Sequence, residues 1–229
     1  MERGRLIDLE ASYLKDIGEF ESAESILGQA LDIFQKAGKP AEQGRILFKM
    51  GDAIGYVYPE RGIAHIRKAL VLIETAGEPF LELCALQALA RFLCDLGQPE
   101  EALAVLERAR PLSNQFPDDL IQLRFHWAEA HIAFHLGEYA EAEVVFGQLW
   151  EELYARSLYQ EVVLVSMDLA KVLAAKGEAE RAARLAVECY FIMKSWGFVR
   201  DAWVAWLIFQ HALSQGRRTE KIPGSIGKH

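Results

Sequence analysis

Leu136-Gly137-Glu138-Tyr139-Ala140-Glu141-Ala142-Glu143-Val144-Val145-Phe146 reads as the end of one helix, a glycine turn and the start of the next, and it recurs along the chain. The copies are Ile17-Gly18-Glu19-Phe20-Glu21-Ser22-Ala23, Leu96-Gly97-Gln98-Pro99-Glu100-Glu101-Ala102 and Lys176-Gly177-Glu178-Ala179-Glu180-Arg181-Ala182. Their glycines lie 177 − 137 = 40 and 137 − 97 = 40 residues apart, and 97 − 18 = 79 is two such steps less one. A constant period of this size marks a stacked helical repeat. Each glycine falls where a helix must end in a left-handed residue, a conformation glycine adopts at no steric cost. Seven residues earlier stand Ala11, Ala90, Ala130 and Ala170, and five later Ala23, Ala102, Ala142 and Ala182. Alanine at both places lets neighbouring helices approach closely. Twelve after the glycine come Ala30, Ala109, Leu149 and Cys189, so larger residues are admitted late in the chain.

Between the joints the apolar residues keep a helical period and no alternating run reads as a strand. The prolines, at 40, 59, 79, 99, 111, 117 and 223, fall mostly at the boundaries this implies. The spacing predicts helices near 5–17, 19–37, 41–57, 59–76, 79–96, 98–114, 118–136, 138–156, 159–176, 178–196 and 199–215. That is an all-α chain of five helical hairpins, at about 5–38, 41–77, 79–115, 118–157 and 159–197, with a capping helix at 199–215 and a flexible tail at 216–229. With 229 residues, 52% of them hydrophobic, there is ample material for a packed core. The second hairpin is irregular: Tyr58 stands where the turn glycine belongs, one residue is missing, and Gly51 and Gly62 replace the flanking alanines. It reads either as a tighter turn or as a hinge or local widening.

A formal charge of −8 speaks against a surface that neutralises phosphates, so no direct nucleic-acid partner is expected. Cys84, Cys94 and Cys189 are odd in number and have no metal-type spacing, which suits a reducing compartment. Met1-Glu2-Arg3-Gly4-Arg5 leads straight into amphipathic helix, and no apolar run approaches the ~18 residues needed to span a bilayer. A cytoplasmic protein without a membrane partner is expected.

A small residue in the first helix, Gly at the turn, an aromatic such as Phe20 or Tyr139 two residues on and Ala in the second helix resemble the tetratricopeptide repeat, in its 40-residue-period form. Leu123-Arg124-Phe125-His126-Trp127-Ala128-Glu129 through Val165-Ser166-Met167-Asp168-Leu169-Ala170 also resembles the carboxy-terminal repeat regions of bacterial transcriptional regulators. The resemblance implies a right-handed superhelical solenoid whose first helices line a concave groove. It further implies a scaffold that binds a protein or peptide segment there without catalysis, as the sensing or adaptor part of a regulatory system.

Carried over hairpin by hairpin, the groove positions are Arg45, Phe48, Lys49, Asp52 and Tyr56; Gln87, Arg91 and Asp95; Arg124, Trp127, His131 and His135; and Met167, Asp168 and Lys171. Basic residues outnumber acidic ones among them, which suggests an acidic peptide or a free carboxylate as ligand. Peptide-binding members of the family clamp the ligand backbone with groove asparagines, whereas this chain has only Asn114, near an inter-repeat loop. Gln87, the arginines and Trp127 are expected to substitute. His131 and His135, four apart on one helix, make a metal pair only with a third ligand that the sequence does not supply, so neither metal nor cofactor is expected. Ser166-Met167-Asp168 with a distant histidine is not a catalytic arrangement, and the chain is read as non-enzymatic. The last helix is apolar nearly all round, since Trp203, Trp206, Leu207 and Phe209 exceed a single stripe. A homodimer through these four residues is the expectation, and assembly through the end helices is the alternative role for the whole chain.

Overall fold

The structure, a computed structural model, describes residues 2–219, and within them the side chains of all but residues 2–5, 16, 119, 200 and 216–219. All regular structure among the described residues is helical. Eleven helices follow one another: α1 Glu2–Asp16, α2 Phe20–Lys36, α3 Pro40–Ile54, α4 Pro59–Ala76, α5 Pro79–Asp95, α6 Pro99–Ser113, α7 Asp119–His135, α8 Tyr139–Ala155, α9 Tyr159–Ala175, α10 Ala179–Ser195 and α11 Val199–Thr219. The helix expected at 199–215 thus runs through residue 219, and the rest of the expected tail lies outside the described residues.

The helices are punctuated as backbone chemistry requires. Helices α3, α4, α5 and α6 open on a proline, whose missing N–H is one a first helical turn leaves unpaired anyway. Asp118 caps α7 by accepting hydrogen bonds from the Leu120 and Ile121 amides. Gly18, Gly97, Gly137 and Gly177 all have φ between 72° and 84°, the left-handed state their position demands. At Gly177 the carbonyls freed by the ending helix are taken up again: the Gly177 amide bonds Ala174 O at 3.1 Å and the Glu178 amide bonds Leu173 O at 2.9 Å.

The chain divides at Gly137 into two compact units, Met1–Leu136 and Gly137–His229. In the first, consecutive helices from α1 to α7 pack side by side, and α3 meets α5 and α5 meets α7 across the hairpins. In the second, α8 to α11 pack consecutively and α9 also meets α11. Both alanine columns are buried throughout, as is the later column of Ala30, Ala109, Leu149 and Cys189. Around them lie Leu27, Ile54, Ile66, Ile73, Leu86, Phe92 and Leu106 in the first unit, and Phe146, Val165, Leu173 and Met193 in the second.

In the irregular second hairpin the two helices come very close. Helix α3 stops at Ile54, three residues short of the expected 57, and the amides of Val57 and Tyr58 both bond Ile54 O. A Cβ placed on Gly62 would stand 2.5 Å from Gly55 Cα and 2.9 Å from Gly51 O, and one on Gly51 would stand 2.8 Å from Gly62 O. Helices α3 and α4 therefore touch through bare backbone, and the missing residue shortens the turn without widening the hairpin. Replacing Gly62 by Ala should cost about 1–3 kcal/mol, because the backbones have to move apart. Gly28→Ala and Gly147→Ala, where nothing lies within 4 Å of the new methyl group, should each add about 0.4–1 kcal/mol. Urea unfolding of the three variants checks both signs.

Candidate polar face of the first unit

The odd-numbered helices α1, α3, α5 and α7 bring most of the sequence-derived candidates onto one face of the first unit. Its centre is Asp52 on α3, whose carboxylate bonds Lys15 of α1 through one oxygen and Arg91 of α5, at 3.1 Å, through the other. Burial alone would raise the Asp52 pKa, but the Lys15 ammonium and the Arg91 guanidinium outweigh it and hold the carboxyl below its usual range. The Arg91 guanidinium lies 4.6 Å from the Tyr56 ring centre and 4.7 Å from that of Phe92. Tyr56 in turn stacks on Phe20 at 6.0 Å and meets the edge of Phe92 at 5.8 Å. Tyr56 lies in the turn that follows Ile54. A second pair, Lys49 with Asp8, repeats the α1–α3 link one helical turn away.

Four of the expected groove groups are therefore committed to holding helices together: Lys49, Asp52, Tyr56 and Arg91. Phe48 is half-buried against the core. Two arginines stay available. Arg45 on α3 and Arg124 on α7 have no carboxylate partner among the described residues, and the Arg124 charge reaches Cys84 on α5. The Gln87 carboxamide Nε2 and the Arg91 Nε, one turn apart on α5, are buried with no hydrogen-bond acceptor. Asp95 is exposed at the end of the same helix and adds to the charge felt by Arg91. Trp127, His131 and His135 continue the row along α7, all half-buried, with the His135 ring edge-on to Phe134 at 5.2 Å.

In the second unit the candidates separate. Met167, expected in the groove, is buried with Val163, Cys189, Met193, Ala202 and Ala205, because α11 lies over that side of α9. Asp168 is also buried and pairs with Lys171 at 2.8 Å. Ser166 donates to Val162 O at 2.8 Å and accepts from Trp150 Nε1 at 3.1 Å, so its hydroxyl is spent on packing. On α11 the expected interface splits. Trp206 lies 5.5 Å from Tyr190 and 5.2 Å from Phe209, and Phe209 leans on the cluster of Leu173, Ala182 and Ala212, whereas Trp203 and Leu207 are exposed.

Sequence reading missed Asp8 and Lys15. The repeat register contains the signal for Asp8, which falls at the place of Gln87 (8 + 79) and Trp127 (87 + 40). Cys94 and Cys189 are buried, and burial pushes both thiols up to about 12; Cys84 is half-exposed, and burial raises its thiol as well.

Residues 85–114 match a family model described as tetratricopeptide repeat. The structure superposes on a Rap protein complexed with Competence and Sporulation Factor with a TM-score of 0.69 at 16% identity, over 92% of this chain and 72% of that one. The fold is that of tetratricopeptide repeats. Aspartyl phosphate phosphatase F from Bacillus subtilis (TM-score 0.64, 15% identity, 92% and 55% covered) and the apo form of RapI (0.63, 10%, 97% and 86%) share it. Comparison with curated proteins gives no match. No helix among the described residues is long and apolar enough to cross a membrane.

Within this tetratricopeptide face, Asp52→Asn should destabilise the protein by about 1–3 kcal/mol at neutral pH, since it leaves Lys15 and Arg91 without their shared carboxylate. Because the folded-state pKa of Asp52 is depressed, its contribution is complete above the ordinary carboxylate range and fades as pH falls through the lower folded value. Urea titrations of both proteins at neutral and acidic pH should show the gap closing in acid.

Proposed function

We propose that the odd-helix face of the first unit captures an extended, acidic segment of a partner protein or peptide without chemically changing it. The observation that carries this reading is a local surplus of donors. Arg45, half-buried on α3, and Arg124, exposed on α7, have no carboxylate partner among the described residues. Asparagines play no part, and Trp127 adds an aromatic wall on α7. The fold shared with a Rap protein complexed with Competence and Sporulation Factor supports a place in a bacterial regulatory system, with the captured segment as the signal. Three free cysteines agree with a cytoplasmic setting.

A second reading, assembly through the end helices, is favoured by the exposed Val199, Trp203 and Leu207 of α11, which suit contact with a second copy of the chain.

Fluorescence anisotropy with a labelled glutamate-rich peptide and its glutamine counterpart tests the first reading. The glutamate peptide should bind more tightly, and added salt should erode the difference. The double variant Arg45→Glu/Arg124→Glu should lose about tenfold or more of the affinity for it. Equal affinity of the native protein for both peptides would overturn the acidic-ligand reading. Arg91 is unsuitable for this test, because its charge also holds Asp52 and the Tyr56 stack.

A further inference from the structure

The repeat register separates apolar side chains that helix stacking leaves open from those it buries. On the second unit, Tyr154 at the end of α8, Tyr159 at the start of α9, and Phe191 and Trp196 around the end of α10 are 54%, 52%, 63% and 44% exposed. Steps of 40 residues place Tyr154 level with Lys194, Asn114 and Glu74, and Phe191 level with Glu151, Pro111 and Val71. Trp196 is level with Arg156, Phe116 and Ala76, and Tyr159 with Val199 and, two steps back, Pro79. All these counterparts are exposed except Phe116, which is half-buried. Helices stacked before and after a repeat thus leave these columns open, and another repeat would not cover them. Trp203 and Leu207 of α11 are of the other kind, since their counterparts Val163 and Met167 are buried. Among the first-unit counterparts only Phe116 is aromatic; the second unit gathers four rings on the same columns.

Inner partners hold these rings in place. The Trp150 indole donates to Ser166 Oγ at 3.1 Å, and Tyr154 lies flat against it, with centroids 5.1 Å and planes 5° apart. Tyr159 meets Tyr154 at 6.0 Å and 75°, and its hydroxyl donates to Ser157 Oγ at 3.4 Å. Trp196 stands edge-on to Phe198 at 6.4 Å, and Phe198 packs on the cluster that contains Val163, Met193 and Ala202. That cluster fixes the layout. Tyr159 comes one turn before Val163 and Trp196 three residues after Met193 on the antiparallel neighbour, so both reach the same end of the unit.

The charge around the rings is acidic and unspent. Glu151 and Glu188, exposed, and Glu161, half-buried, each stand within three residues of one of the rings and have no basic partner among the described residues. The nearby cations are engaged, Arg156 with Glu152 at 3.8 Å and Lys194 with the Tyr190 hydroxyl at 3.2 Å. At about 200 Å² for a whole aromatic residue, the four open rings present about 400 Å². That is the size of a functional patch on one chain, and about half of the roughly 800 Å² per partner that a stable dimer buries. A second copy on the same edge would also set glutamates against glutamates. Open aromatic faces beside unpaired carboxylates instead match a guanidinium, which stacks on Tyr and Trp rings and pairs with carboxylate through its fork.

We propose that this edge of the second unit docks a short arginine-bearing segment of a partner protein, its guanidinium groups lying on the open ring faces and turned toward Glu151, Glu161 and Glu188. The surface and the charge it selects differ from those of the first-unit face, and neither reading depends on the other.

Fluorescence anisotropy on the whole chain with two labelled peptides of equal length and charge, one bearing arginines and the other lysines, tests it. The arginine peptide should bind about fivefold or more tightly. Tyr154→Ala/Tyr159→Ala, with folding checked by circular dichroism, should lose about fivefold or more of that affinity. Glu151→Gln/Glu161→Gln, which alters charge alone, should weaken both peptides and flatten their salt dependence. Arg45→Glu/Arg124→Glu should keep the preference for arginine, so that the two readings fail separately. Equal affinity of the native protein for both peptides, or variants of the edge that bind as the native protein does, overturns the proposal, because diffuse attraction to an acidic chain is then enough. A native dimer in sedimentation velocity that the tyrosine variant abolishes also overturns it, and puts a second copy on the edge.

Discussion

Close approach between neighbouring helices is the constraint on which the rest of this protein depends. At two places per repeat a buried alanine lies between packed helices, and in the second hairpin glycine takes both places. Gly51, Gly55 and Gly62 let backbone meet backbone, and Phe92 of α5 fills the space a Cβ on Gly55 would claim. Packed interiors transmit such choices, because a methyl group added at the closest point has to be accommodated by whole-helix movement. The approach distance therefore sets which residues of successive odd helices come within reach of one another.

The polar face of the first unit follows from that spacing. Asp52 can hold Lys15 and Arg91 together because α1, α3 and α5 lie near enough for three side chains to converge. Tyr56, in the turn that follows Ile54, joins the same cluster. Charges that look like ligand contacts in a one-dimensional reading become the connections between repeats. Arg45 and Arg124 remain, a smaller and more basic set than the full row of candidates.

Much of the fold was legible in the chain itself. The positions of Gly18, Gly97, Gly137 and Gly177 locate the turns, since only a residue without Cβ enters the left-handed state freely, and the structure places a helix boundary beside each. Prolines 40, 59, 79 and 99 mark helix starts for an equally local reason. The site was only partly legible. Met167 looks like a groove residue by register but is buried, because α11 covers its side of α9. Asp8 and Lys15 were missed because their roles depend on partners about forty residues away. Trp206 and Phe209 proved to be packed inward on Tyr190 and on the cluster around Leu173, a distinction that a helix apolar all round does not reveal.

Local steric and hydrogen-bonding rules, which act within a turn or two of helix, are written in the sequence, and so the sequence by itself determined the helices, their joints and the repeat period. Which charges neutralise one another, which donors are left without acceptors and which apolar stripes stay uncovered depend on groups far apart in the chain meeting within a few ångströms. Only the tertiary structure decided those, because the energy of an ion pair or of a buried surface belongs to both partners and neither position encodes it alone.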